Sequence, residues 1–320
     1  MTQTIIFFVL TPFIANISSS SGAPSTNLTA GAGGITIANT SNISLSGGTL
    51  TFNSNGSSSQ AAGSVISGTT ALTQAGSGTT TLSGTNTFSG VTTVSAGTLA
   101  LGANNALGTG GLTVTGTGTF AVGTFSDSVG AVVVNATSGG ITGSGGNLTG
   151  SSYTVNGTAG GVTISANLLG SGALTKTGAG NLTLSGSNAY TGATTVGAGT
   201  LTLGGNNVLP DSSNVVLNGT GTLDMGSFSD TVAAVTVNGT AGGISGSGAN
   251  LTGSSYTVNG TSGGVTISAN LLGSGTLTKS NAGNLTLSGS NGYTGNTTLT
   301  GGITIAGSDT AFGSGGTVVL

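Results

Sequence analysis

The side chains able to do chemistry in this chain are five aspartates (Asp127, Asp211, Asp224, Asp230, Asp309), two lysines (Lys176, Lys279) and four tyrosines. There is no His, Cys, Glu, Arg or Trp. That inventory excludes zinc and iron–sulfur sites, disulfides, Cys nucleophiles and the Ser-His-Asp triad. Paired carboxylates are the one catalytic device it permits, and glycosidases hold such pairs about 5–9.5 Å apart. Asp127 and Asp230 lie a whole repeat unit of 103 residues apart. Four or five strands stacked at ~4.8 Å would separate them by about 20 Å. Asp224 is nearer to Asp230, but its counterpart one unit earlier is Ala121. The two lysines also stand 103 residues apart. No catalytic, cofactor-binding or metal-binding residue is therefore expected, no enzyme activity, and no cofactor. The aspartates read as solvated turn residues.

Partners are bounded in the same way. Two cations cannot neutralise nucleic-acid phosphates, so no nucleic-acid partner is expected. A net charge of −3 is too small to steer any partner. Calcium-binding β-roll turns need an Asp in each glycine-rich turn, and clusters such as Gly139–Gly146 carry none. Asn-x-Ser/Thr sequences at Asn147, Asn181, Asn250 and Asn284 are what this composition produces by chance.

The elements that would hold these residues are short strands. Glycine accounts for 65 of the 320 residues, and 35% are hydrophobic. Only 2% are charged, against about 25% in an average domain. A disordered linker carries high net charge and few β-branched residues. This chain instead has a mean hydropathy of +0.35 and alternating runs such as Gly199–Leu203 and Gly161–Ile164. Such alternation, bounded by Gly, Asn or Ser, predicts half-buried strands. No window has a helical period, so the chain is expected to be all-β. Candidates are Leu112–Val114, Thr119–Val122, Ala131–Val134, Tyr153–Val155, Val162–Ile164, Leu174–Lys176, Leu182–Leu184, Thr194–Val196 and Leu201–Leu203.

Residues 1–26 differ from the rest. The apolar run Ile5–Leu10 is too short to span a membrane. A secretory leader needs a basic start, and none is present in residues 1–5. This segment is read as a cap, a first strand or a weak signal.

Internal repeats decide the architecture. Ser151–Gly172 reappears as Ser254–Gly275 with Ala159 changed to Ser262 alone, an offset of 103 residues. Phe125 and Phe228, Lys176 and Lys279, and Tyr190 and Tyr293 share that offset. A more divergent copy lies 102 residues upstream, where Leu72 precedes Leu174, Gln74 precedes Lys176 and Phe88 precedes Tyr190. A unit this long must hold several coils, four or five of about 20–25 residues each, and roughly 13–15 coils in all. A right-handed parallel β-helix is therefore expected over 27–320. Its units are approximately 27–107, 108–209 and 210–311, with a further one starting at 312–320. Asn156-Gly157 and Asn259-Gly260 would suit hairpins, but the copies differ by single-residue slips. One residue is added where the second unit passes into the third, and one is lost near Gly302. A solenoid is expected to absorb these at a corner, whereas in a hairpin they would turn every side chain to the other face.

Within the second copy, Leu174-Thr-Lys176, Gly178, Gly180, Leu182-Thr-Leu-Ser-Gly186, Asn188-Ala-Tyr-Thr-Gly192 and Gly199-Thr-Leu-Thr-Leu203 follow one another in strict order. This resembles the autotransporter-associated β-strand repeat of passenger regions secreted by bacterial type V autotransporters. The third copy keeps Leu277-Thr-Lys279, Leu285-Thr-Leu-Ser-Gly289 and Asn291-Gly-Tyr-Thr-Gly295, then drops a residue before Ile303. The first departs more, with Gln74 for the Lys, Thr80 for the first Leu of Leu-x-Leu, and Phe88 for the Tyr. On the residues alone, Leu182 and Leu184 should face the bore and Thr183 the outside. Gly178, Gly180, Gly186 and Gly192 should take positive φ at corners. Asn188 should cap turn backbone, and Tyr190, Tyr293 and Phe88 should fill the core.

The resemblance implies a non-enzymatic stalk or adhesin-like passenger, extracellular or on the bacterial cell surface and associated with the outer membrane. Its partner would be an unidentified surface receptor or glycan, or a second copy of itself. The alternatives are a polysaccharide-acting β-helix enzyme and a Thr-rich ice-binding solenoid. The Thr clusters at Thr79–Thr81, Thr175 with Thr177, and Thr194-Thr195 fall at irregular spacing for an ice-binding face. No translocator barrel is expected within this chain, which reads as a fragment or as a passenger anchored elsewhere. Gly316–Leu320 begins a strand, so a bare C-terminal edge is expected to associate end to end. Ile5–Leu10 would cover the other edge.

Overall fold

Each short strand can bury one face because every second residue is apolar, and the glycine-rich gaps let the chain turn at once. The computed structural model describes residues 25–320 in full, together with the backbone of the strands Gln3–Ile6 and Ile17–Ser19. The remainder of residues 1–24, including Phe7–Leu10 of the apolar run, lies outside the described residues. Gln3–Ile6 pairs in parallel with Thr26–Thr29, so part of that segment is indeed a strand.

All the strand pairings described are parallel, each strand lying beside one about a turn later in the chain. The fold is a parallel β-solenoid of about 14 turns and roughly 21 residues per turn. That excludes the hairpin reading. Each of the nine strand candidates falls within an observed strand.

By its contacts the chain divides into two units, one of residues 1–153 with 162–169 and one of 154–161 with 170–320. Both are built alike. In the first, Leu50, Leu72, Thr92, Leu112 and Val132 stack in register along one face. In the second, Leu174, Thr194, Val215, Val235, Tyr256 and Leu277 do the same. The path from Leu174 to Leu277 takes five turns, which explains the 103-residue period. A second face stacks Leu201, Leu223, Ile244, Ile267 and Leu287. The third has shorter strands such as Asp230–Thr231, Asn250–Thr252 and Asn270–Leu272.

The inside–outside pattern of the repeat follows the alternation. Leu182 and Leu184 are fully buried and Thr183 between them is half-buried on the outer side. Phe88, Tyr190 and Tyr293 are fully buried and fill the core.

Two expectations are corrected. None of Gly178, Gly180, Gly186 and Gly192 adopts positive φ; the left-handed glycine of that segment is Gly199, at φ +66°. The reason for glycine is a close approach instead. A Cβ on Gly178 would lie 2.1 Å from the Gly157 carbonyl oxygen, and one on Gly192 2.5 Å from the Ala173 nitrogen. Stacked corners bring backbone against backbone, and no side chain fits between.

The second correction concerns register. Leu182 pairs with Leu201 in the second copy, but its counterpart Leu285 pairs with Thr304. Gly302 keeps the left-handed corner conformation of Gly199, at φ +67°, so the missing residue is not absorbed there. The strand Thr304–Ala306 is consequently inside out. Ile303 and Ile305 are 61% and 51% exposed, where Leu201 and Leu203 are buried.

The alternation can be tested directly. Leu184→Asp places an unpaired carboxylate in the bore and should cost more than about 4 kcal/mol of unfolding free energy. Thr183→Asp should stay within roughly 1 kcal/mol of the parent. Urea unfolding of both variants checks the assignment, which equal losses would refute.

Candidate functional site

Four of the seven charged residues, Asp127, Asp230, Lys176 and Lys279, are buried in the bore. Asp127 and Asp230, expected in solvent, are only 3% and 2% exposed. Each serves a corner of the third face where backbone N–H groups have no strand partner. Asp230 Oδ2 accepts from the N–H groups of Val208 and Leu209, at 2.9 and 3.0 Å. Asp127 Oδ2 accepts from Leu107 N–H and Oδ1 from Ser128 N–H, both at 2.8 Å. A carboxylate only accepts, so it suits backbone N–H groups left without a strand partner.

The carbonyls of the same corners are met from the turn before. Asn86 Nδ2 donates to Ala106 O at 2.6 Å, Asn188 Nδ2 to Val208 O at 2.8 Å, and Asn291 Nδ2 to Ala311 O at 2.7 Å. Asn86 and Asn291 also reach back, accepting on Oδ1 from Ile66 N–H at 2.7 Å and Leu271 N–H at 2.8 Å. Asn188 thus caps backbone as expected, with a second bond to Gly186 O at 3.0 Å. Spacing relates these asparagines to the aspartates once the turn length is known. Asp127 follows Asn86 by 41 residues and Asp230 follows Asn188 by 42, two turns in each case.

The lysines are buried as well. Lys176 Nζ donates to the carbonyls of Gly178 at 2.6 Å and Ala198 at 3.1 Å. Lys279 Nζ donates to Ser280 O and Asn281 O at 2.8 Å and to Gly301 O at 3.0 Å. In the first copy Gln74 fills this position, its Nε2 donating to Gly76 O at 2.8 Å. Unlike an ammonium, an amide also brings an acceptor, and Thr80 Oγ1 donates to Gln74 Oε1 at 2.7 Å. Gln74 and Thr80, two departures from the repeat pattern, are therefore one linked exchange.

Burial sets the electrostatics. It pushes the Asp230 carboxyl up to about 6 against the opposing N–H groups of Leu209, Val208 and Thr231, and the Asp211 charge adds to the rise. Asp230 Oδ1 has no hydrogen-bond partner of good geometry. Burial likewise raises Asp127 and lowers both lysines. It pushes Tyr153 and Tyr256 up to about 12; their hydroxyls donate to Leu148 O and Leu251 O, at 2.7 Å each. Asp224 lies half-buried, accepting from Ser245 Oγ at 2.9 Å, while Asp211 and Asp309 are exposed. A shallow groove of about 260 Å³ between Ala121, Gly123, Thr142, Gly143 and Ser144 has no titratable lining residue. The arrangement fixes corners and shields polar groups.

The chain is thus a parallel β-solenoid in which one sequence repeat recurs every five turns. The family described as passenger-associated-transport-repeat matches three times, at residues 72–101, 174–203 and 277–306, under a third of the chain. These are the three copies that resemble the autotransporter passenger repeat, and the match bears that resemblance out. Neither the search of curated proteins nor that of solved structures found a match.

The buried carboxyl makes stability depend on pH in a definite direction. Folded Asp230 keeps its proton to about pH 6, whereas the ordinary carboxyl loses it near 3.8. The folded state therefore binds more protons in that window, and stability falls as pH rises through it. The loss should be on the order of 2 kcal/mol between pH 4 and 7. Urea unfolding across that range should show the decline, and Asp230→Asn should flatten most of it.

Proposed function

We propose that this chain is a length of exported passenger from an autotransporter-type protein, a non-enzymatic and adhesin-like stalk on the outer surface of a bacterium or released from it. The observation that carries this reading is the recurrence of the matched repeat at 72–101, 174–203 and 277–306, one copy in every five turns. The fold suits export. Strand partners lie about one turn away in sequence, so the solenoid can form turn by turn as the chain emerges. A chain without cysteine cannot be trapped by disulfides on the way. The buried ionisable groups serve backbone, which supports a structural rather than a catalytic role.

One observation bears on the ice-binding alternative. The irregular Thr clusters come into register, so that Thr175, Thr195, Thr236, Thr257, Thr278 and Thr298 form an outward file broken only by Val216. The adjoining outward positions are Thr177, Gly197, Asn218, Asn238, Asn259, Ser280 and Thr300. They do not make the second threonine file such a face needs. The faces fit instead a neutral partner, a receptor or glycan met without charge.

Export is the test. The chain, placed between a secretory leader and a translocator barrel in a Gram-negative host, should appear on intact cells as material labelled by an impermeant reagent and resistant to mild proteolysis. Retention in the periplasm, with a barrel shown to export a known passenger, would contradict the reading.

A further inference from the structure

Four strands are followed at once by the same triplet, Asn-Gly-Thr, at Asn156, Asn218, Asn238 and Asn259. Each Asn faces outward, and its side-chain oxygen accepts from a residue one turn on. Asn156 Oδ1 accepts from Thr177 Oγ1 at 2.5 Å and Asn259 Oδ1 from Ser280 Oγ at 2.7 Å. Between them runs a ladder in which Asn259 Nδ2 donates to Asn238 Oδ1 at 3.3 Å and Asn238 Nδ2 to Asn218 Oδ1 at 3.1 Å. Among the described residues, the backbone N–H groups of Gly219, Gly239 and Gly260 donate no hydrogen bond. Asn218 differs from the next two in one respect. Its Nδ2 donates to no protein acceptor among the described residues, whereas those of Asn238 and Asn259 are tied to the rung before.

We propose that Asn218 is a self-modification site, where the Gly219 nitrogen attacks the Asn218 side-chain carbon. A bond forms between Gly219 N and Asn218 Cγ, and the nitrogen's proton passes to water or hydroxide. The Cγ–Nδ2 bond then breaks, and Nδ2 takes a proton from water and departs as ammonia. Water opens the resulting succinimide to aspartate or isoaspartate, so no oxidant, metal or enzyme is needed.

The ladder favours this chemistry at one rung and opposes it at the next two. The Asn238 amide donates to the oxygen on which negative charge develops, as an oxyanion-hole donor does. Glycine offers no side chain to hinder its nitrogen. To reach that nitrogen the carboxamide must swing, and Asn238 and Asn259 are held at both ends while Asn218 is held at one. The product keeps the Asn238 bond and strengthens it by charge. Each event adds one negative charge to a chain whose net charge is −3.

The identical triplets supply the control. The full chain is incubated at mildly alkaline pH, folded or in urea, and deamidation is quantified by peptide mass mapping that separates aspartate from isoaspartate. In urea, Asn218, Asn238 and Asn259 should react alike. In the folded chain Asn218 should exceed the other two at least several-fold. Asn238→Ala, which removes the donor, should slow Asn218, whereas mere loosening of the ladder would speed it. Equal folded rates, a faster Asn238 or Asn259, or an Asn218 rate unchanged or raised by Asn238→Ala would overturn the proposal.

Discussion

Stacking one turn of polypeptide directly on the next encloses the polar groups of the bore and corners, so they must find partners within their own turn or in the turns beside it. Strands satisfy this automatically through their parallel ladders. Corners do not, and much of the unusual chemistry of this chain answers that need. Asp230 accepts from Val208 and Leu209, and Asn188 donates to Val208 O. Lys279 holds three carbonyls of turns that would otherwise be bare. The same closeness excludes side chains at Gly178 and Gly192, where a Cβ would meet the backbone of the turn before.

This constraint inverts the usual placement of charge. Lys176, Lys279, Asp127 and Asp230 are inside, while the outer files carry Thr, Asn and Ser. Burial then shifts the carboxyls up and the lysines down. Polar groups in the bore are costly unless paired. The position shared by Gln74, Lys176 and Lys279 shows how pairing restricts the repeat. A lysine there tolerates an apolar Leu182 or Leu285 nearby, but a glutamine brings an acceptor, and Thr80 is the residue that meets it.

The strands, the 103-residue period and the burial of Leu182, Leu184, Tyr190 and Tyr293 were legible because alternation and self-similarity are carried by residue type. The resemblance of residues 173–203 to a passenger repeat was legible for the same reason. The aspartates were not. A sequence says that Asp is polar, and only the stack says that the nearest unpaired donors lie in the bore. Glycine was read as a conformational need because its other use, close approach, depends on what sits one turn below. The reversed strand at Ile303 and Ile305 was missed because a one-residue loss can be absorbed at a corner or passed into the strand, and the preserved Gly302 turn decides it.

The claim that interior polar partners dictate one another across this stack is tested most directly by a double-mutant cycle on Gln74 and Thr80. Thr80→Leu alone strands the buried Gln74 oxygen and should cost about 1–3 kcal/mol. Gln74→Lys alone leaves the Thr80 hydroxyl without its acceptor. The double variant reproduces the Lys176 and Leu182 pair and should recover much of the loss, giving a coupling of about 1–2 kcal/mol by urea unfolding. Losses that simply add, within roughly 0.5 kcal/mol, would contradict it.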